Sequence, residues 1–405
     1  MAGKIIKVFI TLIIGFNLLS INLILNPSPM ELISLTIISP CGRADEETSG
    51  LLSTLFLYQE EKWKKDIWNS GARIETHVGV DSSYFRIISL KNYWSTPSRI
   101  AASLIYSSQI DPAALTRAKK LISLSIPRPS FSDFGPFLFY PMSEYGRPFP
   151  TMTDIMRITP KDISNLKQKC FSPRRVKIVV EGGFITSVIK NSLSKNITRI
   201  VHLQKLMEPP DRPPIKVGFI TMNEPHVVWF FKIIERKEIM PIKVLISALA
   251  LNPEGLFHTM FTDRVSISSG IQKGRNVSFG WIDLRIRKGS TKEIFFLSRR
   301  VISGKMRAGI EPDEFERIKK YMKGKLKYEE SLPWPVMRRE WKAIRMQEKE
   351  YSLNEINSVL RNFPSRSLSV LITGSEDSVK EILQNVSSIG VFDSAGRFLY
   401  ELSSE

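Results

Sequence analysis

One eleven-residue pattern occurs twice, and this repetition limits the possible folds more than any other feature of the chain. Residues 110–120 (IDPAALTRAKK) return as residues 310–320 (IEPDEFERIKK), 200 positions later. Each copy opens a helix. Proline stands in the first turn, where its missing N–H costs nothing, and acids precede bases along the helix dipole. Phe315, Ile318 and Met322 mark the buried stripe of the second copy. A second pair follows in the same order. Thr159 caps a helix with Asp162 in the capping-box position, and that helix ends near Cys170, before a strand at 176–180 running into Gly182. In the other half Ser352 opens the helix, Phe363 and Pro364 follow, and a strand at 368–372 runs into Gly374. The halves read as duplicated domains.

The connection between them is residues 208–214, EPPDRPP. Four prolines in seven residues carry neither a helix nor a central strand and favour a stiff, extended linker. It divides the chain into domains at 21–207 and 215–405, with residues 1–20 set apart. A chain of 405 residues suits two cores of about 150–200 residues each. Strand-like runs at 84–90 and 279–287 are each followed by helical stretches, at 98–106 and 292–307. The expected fold class is α+β: two duplicated domains, each a mixed or antiparallel sheet with helices packed on one face.

The N-terminus supports two readings. Lys4 and Lys7 precede an apolar run at 8–16 that resumes after Asn17 as far as Leu25. A basic start before an apolar stretch reads as a signal peptide or membrane anchor. The same region also reads as a hairpin, with strands at 21–25 and 32–38 and a turn at Asn26, Pro27, Ser28 and Pro29.

A net charge of +18 gives long-range attraction to anionic partners. Residues 285–307 concentrate it: Arg285, Arg287, Lys288, Lys292, Arg299, Arg300, Lys305 and Arg307 stand against Glu293 alone. Ile286, Ile294, Phe296, Leu297 and Val301 are interleaved with them, the pattern of a solvated face on a strand and helix lying on a core.

Candidate chemistry is sparse. Cys41 and Cys170 cannot make a disulfide framework and lack zinc-site spacing. His77, His202, His226 and His258 include no pair at the i, i+4 spacing that holds a metal on a helix. No G-x-S-x-G elbow is present. Gly182, Gly183 and Gly374 are strand-end turns without a phosphate-loop lysine. Sequons at Asn196, Asn276 and Asn385 carry no functional weight.

The order of these pieces is nonetheless specific. A strand at 32–38 leads to residues 42–47 (GRADEE), and Gly50, Leu51 and Leu52 then open a helix. Residues 71–75 precede another strand, and the segments 158–182 and 310–319 follow. Over residues 20–400 this order resembles the pitrilysin and insulinase metallopeptidases. The resemblance implies two related α+β domains around a chamber for unfolded peptide, the first domain normally catalytic. It also implies an H-x-x-E-H motif on one helix and a distant glutamate. In that motif both histidines bind zinc and the glutamate takes a proton from the metal-bound water.

Here the motif's positions fall on residues 53–57. Ser53 and Leu57 stand at the two histidines and Phe56 at the base. The helix implied to carry the third ligand, 118–126, offers Ser123 or Ser125 and no carboxylate. The resemblance further implies an arginine and a tyrosine that hold the peptide backbone, and Phe261 and Ser268 occupy those places. A small shift would make Arg264 the arginine, and no tyrosine is in reach.

The expectation is a chain without catalytic, cofactor or metal residues, hence not an enzyme. It would be a non-catalytic subunit partnering an active zinc peptidase of the same family in handling unfolded, extended peptide. The alternative is a stand-alone scaffold, assembly or peptide-binding protein at the membrane. Net charge alone carries a further reading, a nucleic-acid or anionic-surface binder, and no stacking aromatics on a basic strand pair support it. The N-terminus points to the cell envelope, periplasmic or membrane-anchored, with the cytoplasm as the alternative.

Overall fold

The computed structural model describes residues 22–27, 31–124, 126, 129–184, 205–211, 213–251, 255–331 and 351–403. Residues 1–21, which hold most of the N-terminal run read as a signal or anchor, and His202, the Asn196 sequon and Ser125 lie outside these residues.

The first half is built on five strands: β1 (Asn22–Pro27), β2 (Leu32–Ser39), β3 (Arg73–Val78), β4 (Ser83–Leu90) and β5 (Lys177–Gly182). They lie in the order β1-β5-β2-β4-β3, with β1 parallel to β5 and every other neighbour antiparallel. Its helices include α1 (Leu51–Lys62), α2 (Ser95–Tyr106), α3 (Pro112–Leu124), α4 (Gly135–Phe139), α5 (Met152–Arg157) and α6 (Pro160–Cys170).

The second half repeats the plan. Strands β6 (Val217–Thr221), β7 (His226–Ile233), β8 (Val265–Gln272), β9 (Ser278–Ile286) and β10 (Leu368–Gly374) lie in the order β6-β10-β7-β9-β8. Again the first strand is parallel to the last and the others are antiparallel. Two more strands, β11 (Ser388–Phe392) and β12 (Phe398–Ser403), extend the sheet beyond β6. The helices here include α7 (Arg236–Ile246), α8 (Thr291–Ala308), α9 (Pro312–Ser331), α10 (Leu353–Arg361) and α11 (Glu376–Leu383).

The repeated sequence segments sit on the same element of each half. Residues 110–120 enter α3 and residues 310–320 enter α9. The second pair corresponds in the same way. The Asp162 carboxylate accepts from the Thr159 amide at 2.7 Å at the start of α6, and Glu355 does the same for Ser352 at 2.9 Å at the start of α10. Both satisfy amides that a helix start leaves without partners.

The hairpin reading of residues 21–38 is corrected. Both strands form, but β5 lies between them: Asn22 through Pro27 pair with Lys177 through Gly182, and β2 pairs with β5 on its other side. A proline-containing turn allows a reversal of direction. It does not decide which strand fills the space beside it, and here a strand about 150 residues downstream does.

Alternate residues of each strand face opposite sides of the sheet. In the first half Ile33, Leu35, Ile37, Phe85 and Ile87 pack under the helices. In the second, Val227, Trp229 and Phe231 do so, and the Trp229 indole stacks on Phe295 of α8 at 5.8 Å. The other face of the second sheet is not left to solvent. Val228, Phe230, Phe279 and Leu371 meet Phe134, Phe137, Leu138 and Phe139 of the first half. That apolar seam joins the halves, with backbone bonds from Ile215 to Leu138 and from Phe149 to Ala395 at its margins.

The two cysteines, given no role from their spacing, form one bridge. Cys41 follows β2, Cys170 ends α6, and both are fully buried. The Ser39 hydroxyl beside them donates to the Cys170 carbonyl at 2.8 Å.

Candidate functional site

Helix α1 starts at a crowded point. Gly50 caps it with φ +84°, and a Cβ there would lie 2.5 Å from the Ile155 side chain, so only glycine fits both the backbone and the space. The Glu46 carboxylate accepts from the amides of Gly50 at 3.0 Å and Leu52 at 2.7 Å. Burial nonetheless pushes its pKa up to about 7, outweighing those amides and the nearby Arg147 and Arg43.

The helix carries the three positions that the zinc motif would occupy. Ser53 lines a cavity between the halves. Leu57, one turn later, packs against the first core. Phe56 is 2% exposed, with its ring 5.4 Å from Phe85 and 5.8 Å from Phe171. A hydroxyl and an isobutyl group do not suit zinc, which takes thiolate, imidazole or carboxylate donors, and a phenyl ring cannot take a proton as the base must. Ser123, offered as a third position, turns its hydroxyl to the Lys120 carbonyl at 2.8 Å. Among the described residues no three of His, Cys, Asp and Glu gather as a ligand set.

The substrate-holding positions also lie elsewhere. Phe261 is a core residue, 1% exposed. Ser268 sits on β8 opposite Asp283. Arg264, at the start of β8, is held by Glu293, with Nη1 3.0 Å from Oε1. None of the three is among the described residues lining the cavity.

The cavity measures about 1220 Å³. One wall is the outer face of the first sheet, with Thr36, Ile38, Tyr84 and Arg86. The other comes from β8, β9 and α7, with Gly270, Ile271, Trp281, Ile239 and Met240. Its geometry follows from the sheet order. β3 and β8 are each the last strand of their sheet, and Thr76 and His77 of one and Ile271 and Gln272 of the other reach the cavity. A terminal strand keeps one row of backbone donors and acceptors outside its own ladder, ready to pair with an extended chain.

A polar clasp beside the cavity fixes the β8–β9 turn against the first half. Asp81, fully buried, accepts from the backbone amides of Arg275 at 2.6 Å and Asn276 at 2.8 Å. The Tyr145 hydroxyl donates to the same carboxylate at 3.3 Å. The Arg275 guanidinium donates to the carbonyls of Pro40 and Met207, and Asp45 accepts from the Met207 amide at 2.9 Å. Sequence reasoning missed these residues, because each is an ordinary turn or linker position until the halves meet. A second contact across the halves places the Phe131 ring 4.2 Å from that of His226, which hydrogen-bonds Asp283 at 2.8 Å.

No protein-family model matches the sequence, and no curated protein does. Solved structures do match. A protease from Helicobacter pylori superposes with a TM-score of 0.73 at 12% identity, over 88% of this chain and 98% of its own. A peptidase M16 inactive domain from Pseudomonas fluorescens gives 0.71 at 13% identity, over 87% and 94%. The periplasmic protease PqqL from Escherichia coli gives 0.67 at 10% identity, over 89% of this chain and 47% of that one. With its repeated sheet order and paired halves, the chain has the pitrilysin-like fold of the M16 peptidases.

Proposed function

We propose that the chain is a catalytically silent pitrilysin-like subunit that receives extended peptide in its cavity and pairs with an active zinc peptidase of the same fold. The observation that carries this reading is the state of α1. Where the motif would place its general base, Phe56 is locked between Phe85 and Phe171, so the helix is spent on core packing. The cavity and its two terminal strands supply what remains useful, a wall and a backbone edge for an unfolded segment. The buried Cys41–Cys170 bridge supports a place in an oxidising compartment such as the cell envelope. PqqL, which shares the fold, is described as periplasmic.

The test is reconstitution. The purified chain, alone and with added zinc, is incubated with unfolded peptides, then again after co-expression with a same-fold peptidase carrying an intact H-x-x-E-H. The expected result is no cleavage by the chain alone and a one-to-one complex whose activity disappears when the partner's glutamate is replaced. Cleavage by the chain alone would overturn the silent reading. A chain that never associates with such a peptidase would favour a stand-alone scaffold.

A further inference from the structure

The basic stretch at residues 285–307 takes no part in the cavity, whose described lining residues include none from α8. The fold divides its charges. Arg285 pairs with Glu224 at 2.7 Å, and Lys305 pairs with Glu314. Glu293, the one acid of the stretch, is held by Arg264. Arg299, Arg300 and Arg307 of α8 are exposed and form no ion pair among the described residues. The helices beside them do not offset this charge. α10 adds Arg361, which donates to the Ala308 carbonyl at 3.4 Å. On α11, Asp377 lies 3.9 Å from Lys380, and Glu376 and Glu381 pair with no α8 cation among the described residues.

The arginines also share a direction. Ile294, Phe295 and Ile302 turn one side of α8 into the core, which leaves the arginines on the other. Arg300 and Arg307 stand seven residues apart, about two turns, so they lie on one line along the helix. Gly304 lies on that line in open space, and the half-buried Phe296 and Leu297 border it. Trp229 and Phe231 meet the α8 core, whereas the alternate residues Val228 and Phe230 meet the first half. The outer side of α8 therefore faces away from the seam.

We propose that the outer side of α8 docks on an anionic phospholipid surface, with Arg299, Arg300 and Arg307 on the headgroup phosphates and Phe296 and Leu297 at the acyl boundary. Guanidinium forks match phosphate oxygens two at a time. Each cation near such a surface adds an attraction that fades within a Debye length. The apolar pair favours lipid over nucleic acid. A leucine gives a base no flat ring to stack on, whereas a helix lying on a bilayer buries phenylalanine and leucine beside its cations. Docked in this way, the chain keeps its seam and cavity clear of the membrane.

The experiment measures binding of the full chain to vesicles of phosphatidylcholine alone and of equal parts phosphatidylcholine and phosphatidylglycerol. The anionic vesicles are expected to bind at least about tenfold more tightly at low salt, with the preference fading as salt is added. A protein of net charge +18 attracts any anionic surface, so two double variants with the same charge change are compared. R300E/R307E should remove the preference. K65E/K120E, at exposed positions of the first half, should keep most of it. R300K/R307K, which retains the charge, should also keep most of it. Equal binding of both vesicles by the unaltered chain would overturn the proposal. A preference lost equally in K65E/K120E would reduce it to net charge and overturn the assignment to α8. An RNA oligonucleotide bound more tightly than the anionic vesicles, through the same two arginines, would make this a nucleic-acid surface and overturn the lipid reading.

Discussion

Asp81 in the first half accepts the backbone amide of Arg275 in the second at 2.6 Å, and no solvent reaches its carboxylate. A buried carboxylate is tolerated only when donors surround it, and here two amides and a tyrosine hydroxyl do so. The turn can approach this closely because residue 274 is glycine. A Cβ there would stand 2.4 Å from Asp81 Oδ1 and 2.2 Å from the Val277 carbonyl oxygen. The halves are therefore joined by a specific polar lock as well as by the phenylalanine seam.

Replacing Asp81 with alanine leaves two part-buried amides without that acceptor. The expected cost is about 2–4 kcal/mol. Gly274→Ala should act in the same direction by pushing the turn away from the carboxylate. Denaturant unfolding checks both, together with protease cutting of the linker around Met207. An Asp81→Ala protein with an unchanged midpoint and an unchanged cutting rate would show that the seam alone holds the halves.

The Cys41–Cys170 bridge closes a loop with a sequence separation of 129. In the chain-entropy account, closing a loop of that length contributes roughly 5 kcal/mol. Cys41→Ser/Cys170→Ser should lower stability by up to that amount. Cys41 also lies within the segment whose Pro40 carbonyl and Asp45 carboxylate engage Arg275 and Met207, so the loss should speed linker proteolysis as well. Both sulfurs are fully buried, so thiol alkylation of the folded, untreated protein should label neither residue. Labelling of either would contradict the bridge.

Glu46 predicts a pH dependence. Its folded pKa, about 7, lies above the ordinary value of 4.5 because burial favours the neutral acid. The folded state thus holds this proton more tightly than the unfolded state does. The contribution is fully present below pH 4.5 and is lost as pH rises towards 7. Glu46→Gln cannot titrate. Wild type should lose stability relative to it across that window, by on the order of 2–3 kcal/mol. Unfolding midpoints of both proteins at four pH values between 4 and 8 decide the matter. Wild type gaining stability relative to Glu46→Gln as pH rises would reverse the assignment.

The repeat made the architecture readable, and the physical reason is local. Helix starts are specified within four residues, so Thr159 with Asp162 and Ser352 with Glu355 announce equivalent helices in each half. Once two such pairs agree in order, the sheets between them follow. What stayed hidden is long-range. β5 separates β1 from β2, Cys41 meets Cys170, and Asp81 meets Arg275 across 194 positions, none of which a turn or a propensity can signal. The candidate site divides in the same way. The unsuitability of Ser53, Phe56 and Leu57 for zinc is a matter of residue type, open to reading from one helix. The cavity takes its walls from both sheets, so it becomes visible only once the halves are assembled.

Rebuilding the motif separates residue type from surroundings. Ser53→His and Leu57→His place imidazoles at one partly buried position on the cavity and another on the core margin, and both should be accommodated with modest loss. Phe56→Glu is different in kind. It exchanges a ring in contact with Phe85 and Phe171 for a carboxyl with no partner, losing packing and burying a polar group together. The expected cost is about 3–5 kcal/mol, several times that of the two histidines together. The triple variant should therefore unfold at much lower denaturant than Ser53→His/Leu57→His, and added zinc should recover little of the difference, because the third ligand is still missing. Unfolding of both variants with and without zinc, beside a metal-binding titration, provides the measurement. If Phe56→Glu were tolerated at the level of a surface substitution, Phe56 would not be the packing residue on which the silent reading rests.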